Sequence, residues 1–258
     1  MAKAPKTVQA GKPLFTPAPE AKAQATRSRI IALVLWAAAI VLELVAIFWV
    51  MRPSFDELAA NHGFPQWRWY LLLGFIVVIG ILAVAGSMLW KKANHLDPAS
   101  RNEPVRFFVQ NQLGAFIALL AFLPLIVMIF LNKDMDAKQK NIAGAAGIIV
   151  AIAATVLGID FKPLSQEQAA VESQVVTQLV GQDHVWWSAG GKVVHLCQGA
   201  SDLKNATTQI SSGPIADALG AGKEGITLQL GPELTQCGLP TPANLPDIEQ
   251  WVRTARGL

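Results

Sequence analysis

Four segments of this chain, residues 30–51, 69–90, 107–131 and 142–159, contain between them a single charged side chain, Glu43. A bilayer core of roughly 30 Å takes about 20 apolar residues at 1.5 Å each. Helices in a soluble core rarely stay apolar on every face for that length. The four segments therefore read as membrane spans, and the fold class they predict is membrane α-helical, a four-transmembrane-helix bundle. The low share of charged residues, 15% against about 25% in soluble domains, follows from them. A soluble globular enzyme, a disordered chain and a disulfide-stapled secreted miniprotein are excluded.

The charges outside the spans lay out the rest. Residues 1–28 carry Lys3, Lys6, Lys12, Lys22 and Arg27 against one acid, Glu20, and read as a flexible basic tail with too little apolar content to fold alone. This stretch is too long before Ile30, and lacks a following cleavage site, for a removed signal peptide, so the first span is expected to be retained. Residues 29–160 form the membrane region, 161–182 a connecting helix, and 183–258 a small α+β domain. Positive side chains resist translocation. The tail, with Arg29, and the loop bearing Lys91, Lys92, Arg101 and Arg106 outweigh Arg52, Arg68, Lys133, Lys138 and Lys140 on the other side, which places both termini in the cytoplasm of a multi-pass plasma-membrane protein.

Within the spans a few positions depart from plain apolar helix. An isolated carboxylate such as Glu43 costs at least ~2.5 kcal/mol on insertion scales, so it should face protein or water. One such residue without an intramembrane cation is too little for a transport path, which favours a carboxyl bonded to a neighbouring helix. Ala143, Gly147 and Ala151 recur every fourth residue on one face of the fourth span, which suits close helix packing, within this bundle or against another subunit. Pro124 removes a backbone donor and predicts a kink in the third span. Trp49, Trp67, Trp69, Tyr70 and Trp90 fall near span ends, as expected of rings at the headgroup level. The polar run Gln110, Asn111 and Gln112 opens the third span and suits headgroups or a neighbouring helix.

From residue 160 on, ordinary polarity returns, with ten acids and six bases. Residues 164–180 suit an amphipathic helix with Ser165 as N-cap and Gln168 at the reciprocal position. His184–Ser188 and Val193–Cys197, joined across Gly190 and Gly191, read as a β-hairpin; 225–230 reads as a third strand. Gly213 and Pro214 open a short helix ending near Gly220 or Gly222, and a last helix runs from an Asn244 cap to about Gly257. His195, Cys197, Cys237 and His184 are the ligand-type residues here, but paired CxxC spacing is missing, so no metal site is assigned. A Cys197–Cys237 disulfide goes with a domain on the outer face; with the domain in the cytoplasm, buried reduced thiols are expected. No catalytic, cofactor-binding or metal-binding residue is assigned, and no enzyme activity or nucleic-acid partner is expected.

From the basic tail through the spans, and in the runs 185–197, 212–224 and Glu233–Gly238, the chain resembles the four-span accessory subunits of the actinobacterial respiratory supercomplex, which joins the cytochrome bcc complex to cytochrome c oxidase. The resemblance implies a non-catalytic supercomplex association factor. It also implies haem and copper in partner subunits, none bound by this chain, and contacts with integral membrane subunits and lipids. It transfers no residue role. The alternative is a multi-pass membrane sensor or transporter regulator whose module binds a ligand between the hairpin and the helix after Gly213.

Overall fold

The computed structural model describes residues 19–161 and 163–258. It is 68% helical and contains four helices long and apolar enough to cross a membrane. These are α1 (Pro19–Val45), prolonged by a π-helical turn (Ala46–Val50); α3 (Gln66–Leu96); α4 (Pro104–Leu120) followed by α5 (Leu123–Leu131); and α6 (Ala137–Gly158). A short α2 (Phe55–Asn61) lies between the first two. The described residues divide into two compact units: Arg27–Lys91 with Val109–Phe161 forms the membrane unit, and 19–26, 92–108 and 163–258 form the second unit.

Helix α1 starts earlier than the apolar pattern predicts, so residues 19–28 are helix and not flexible tail; residues 1–18 lie outside the described residues. Pro19 suits a first helical position, and the alanines that follow are strong helix formers. Ala21 and Ala25 pack on Ala93 and Leu96, which gives these polar-flanked turns a buried stripe.

The membrane unit is centred on Leu72, Ile76, Ile79, Phe122, Leu125 and Ile129, all fully buried. The small residues of α6 face inward: Gly144 abuts the Phe130 ring, Gly147 lies against Ile126, and Gly158 meets the backbone of Gly114 and Ala115. Of the alternatives left open by the sequence, packing within its own unit is the one realised. Expected as a kink, Pro124 stands just past a break, where Ala121 and Phe122 leave the helix and α5 restarts with proline in its first turn.

In the second unit come α7 (Gln166–Val180), β1 (Val185–Ser188), β2 (Val193–Val194), α8 (Ser201–Lys204), β3 (Ile210–Gly213), α9 (Ile215–Gly220), β4 (Gly225–Ile226), α10 (Leu230–Gln236) and α11 (Leu245–Arg256). The predicted hairpin is mostly replaced: β1 pairs antiparallel with β3, and its link to the 193–197 segment is a single bridge, Trp186 to His195. Strand β2 instead pairs parallel with β4, which is only two residues long and not the six expected. Far from serving as a linker, α7 buries Val175, Val176 and Leu179 in the core with Trp187, Leu219 and Val252. Ser165 caps it by accepting from the Gln168 amide, while the Gln168 side chain turns away to Glu172 and the Glu224 carbonyl. Asn244 precedes α11 without a side-chain cap bond, and Gly257 ends it with positive φ.

Candidate functional site

Two groups of polar side chains are buried deeply enough to shape function. In the membrane unit, Glu43 is 3% exposed, and its Oε1 accepts a hydrogen bond at 3.3 Å from the Leu125 amide. The bond follows from the break. The first N–H groups of a helix have no partner in their own helix, and no water in a bilayer core can supply one. The break at Phe122 creates such donors, and a carboxylate from α1 takes one of them. Glu43 thus carries a protein–protein bond, the reading favoured from sequence.

Nearer one end of the same unit, Arg68 is almost fully buried. It forks onto both carboxylate oxygens of Glu57 and donates to the carbonyls of Trp49 and Val50. Its guanidinium lies 4.7 Å from the Trp67 ring centre and 5.7 Å from that of Trp49. The Ser54 backbone N–H, in a reciprocal capping box, and Arg68 hold the Glu57 carboxyl below its ordinary pKa. Of the expected span-end rings, Trp69 donates to the Gln139 carbonyl and Trp90 to that of Gln110, so those two indoles tie helices together. In the polar run, Asn111 is buried and Gln112 reaches the Asp160 carbonyl.

In the second unit, the 195–197 segment, which follows β2, and helix α10 are joined at successive levels. His195 Nδ1 lies 2.8 Å from Glu233 Oε2, and the Leu196 amide donates to Glu233 Oε1. One helical turn on, Cys197 and Cys237 form a disulfide. Of the two states the sequence left open, the structure has the bridged one. Residues four apart on a helix share a face, so Glu233 and Cys237 both meet the 195–197 segment, and the acid–histidine contact brings the two sulfurs within reach. His184 packs edge-on to Trp186 and joins no such cluster. Among the described residues, no three His, Cys, Asp or Glu side chains converge as a metal site.

Sequence reasoning missed the most buried pair. Glu172 is fully buried, accepting from Arg256 Nε at 2.8 Å, from Gln168 and from the Ile226 amide; Arg256 also donates to the Ile226 carbonyl. A signal was present, because Glu172 lies three to four residues from both Ala169 and Val176 on the apolar stripe of α7. Lys223, also missed, donates to the carbonyls of Ser188, Ala189 and Gly191, clamping the Gly190–Gly191 turn; burial pushes its pKa down. An open cavity of about 360 Å³ is lined by Glu20, Gln24, Lys92, Leu96, Asp217 and Ala221.

No protein-family model matches the chain, and neither the curated proteins nor the solved structures yield a significant match.

Proposed function

We propose that this chain is a non-catalytic accessory subunit that helps assemble or stabilise a larger membrane complex, namely the cytochrome bcc–cytochrome c oxidase supercomplex that the sequence resemblance implies. One observation carries the reading. The groups with the greatest chemical potential are committed to internal bonds: Glu43 to the Leu125 amide, His195 to Glu233, and Cys197 to Cys237. Such a chain offers partners shaped surfaces, while the haem and copper chemistry would belong to the partner subunits. Tagged protein extracted in mild detergent is expected to bring down cytochrome-containing subunits with haem absorbance. Recovery of a colourless monomer would overturn the proposal.

A second reading, a membrane sensor, is favoured by the cavity beside α9. The ligand site would then lie against the ends of α1 and α3 and not against the expected hairpin. Ligand-dependent thermal stabilisation of the full chain, abolished by Asp217→Leu, would support it.

For sidedness we propose that both termini are cytoplasmic, on the strength of the basic tail and the basic segment from Lys91 to Arg106. The Cys197–Cys237 bridge is the opposing observation, since cytosolic thiols are normally kept reduced.

A further inference from the structure

Between the first two spans, the chain builds a rigid shelf with no polar reason to exist. Helix α2 is closed at its start by the reciprocal bonds of Ser54 and Glu57 and at its end by His62 in the left-handed conformation, φ 52°. Its first residue, Phe55, is 85% exposed, the most exposed large apolar side chain among the described residues. Exposing a phenylalanine to water wastes the stabilisation of roughly 1.5–3 kcal/mol that its burial provides. Something apolar should therefore cover it.

The occupant follows from the level at which α2 is held. Glu57 is forked by Arg68, whose guanidinium is flanked by the rings of Trp67 and Trp49. Those rings, with Phe48 and Tyr70, are exposed at the adjoining ends of the first two spans, continuous with the apolar outer faces that the bilayer covers. Aromatic side chains in that position mark the headgroup layer. The clamp thus fixes α2 in that layer. We infer that α2 is an interfacial anchor that inserts Phe55 into the lipid bilayer at the boundary between headgroups and acyl chains, a depth typical of surface-lying amphipathic helices. Within 52–57, Glu57 is engaged by Arg68 and exposed Arg52 and Asp56 carry opposite charges, so the contact made by α2 itself is the apolar one of Phe55.

The test uses the full chain, purified without reductant. With Cys197 and Cys237 both replaced by Ser, Phe55→Cys supplies the only thiol. Labelled with bimane and placed in phosphatidylcholine nanodiscs, this position is expected to be quenched several-fold more by lipids brominated near the headgroup end of the chains than by aqueous iodide. Ala60→Cys, exposed on another side of α2, should show the reverse. Adding Glu57→Ala, which removes the acceptor for both Ser54 and Arg68, should erase the contrast by freeing the helix. Preferential quenching of the Phe55→Cys label by iodide would overturn the anchor. Protection from both quenchers would also overturn it, showing that protein, a second copy of this chain, covers the face. An unchanged contrast with Glu57→Ala would overturn the role of the clamp.

Discussion

Glu43 answers a need created 82 residues away, the unmatched amide of Leu125. A buried donor left without an acceptor costs about 1–3 kcal/mol. Glu43→Ala is therefore expected to lower stability by ~2 kcal/mol, while Glu43→Gln, which keeps a carbonyl acceptor, should cost less than half of that; thermal melts in detergent would measure the difference. At Glu172 the stakes are higher. Removing one partner of a buried ion pair costs about 3–5 kcal/mol, so Glu172→Ala should unfold the second unit at growth temperature, as circular dichroism and limited proteolysis would reveal. Glu167 gives a pH signature. Burial raises its pKa, but bonds from the Arg101 amide and the Ser100 hydroxyl outweigh this and hold it below the ordinary 4.5. A carboxyl with a depressed folded pKa contributes stability above its unfolded value and loses it as pH falls through the folded one. Stability should thus decline as pH drops below about 4.5, and Glu167→Gln should flatten that part of the curve.

Among the elements, helix contacts depend on where a side chain is missing. A Cβ on Gly158 would stand 2.7 Å from the Ala115 backbone nitrogen, which cannot rotate away, whereas one on Gly74 would meet nothing within 4 Å. Gly158→Ala is expected to part α4 from α6, seen as aggregation or a lower melting temperature. Gly74→Ala should be neutral or stabilising, by up to the ~1 kcal/mol helix preference of alanine over glycine. The spans were legible because lipid imposes one rule along about twenty residues. Short strands were not. Ile210–Gly213 reads IleSerSerGly, with no alternation to announce a strand, and its pairing with β1 is set by the tertiary core around Trp187. Pro124 marked a disturbance in the third span, but not that the helix would stop, because the acceptor that makes stopping affordable lies on another span.

For the whole molecule, the basic segments and the Cys197–Cys237 bridge bear on sidedness in opposite directions. If both termini are cytoplasmic, a permeant maleimide should label Cys197 and Cys237 in intact cells without prior reduction, and an impermeant one should not. Labelling by the impermeant reagent, only after reduction, would place them outside. In the chain-entropy description, a bridge closing a 40-residue separation is worth about 4 kcal/mol, yet Glu233 joins the same segments one turn away. The second unit therefore has a non-covalent link that survives if cellular thiols open the bridge. Nothing in the spacing of His195, Cys197, Glu233 and Cys237 revealed this doubling, because it appears only when strand and helix faces meet.

The Glu43–Leu125 bond also sets an order of events during synthesis. The first span enters the membrane with its carboxyl facing no partner, and the amide that will meet it is still to be translated, 82 residues downstream. At 5–20 residues per second, the gap lasts roughly 4–16 s. Over that interval the first span carries a polar group without its partner, and arrival of the third span supplies it. One hydrogen bond thus records that the first and third spans have both been inserted and have found each other.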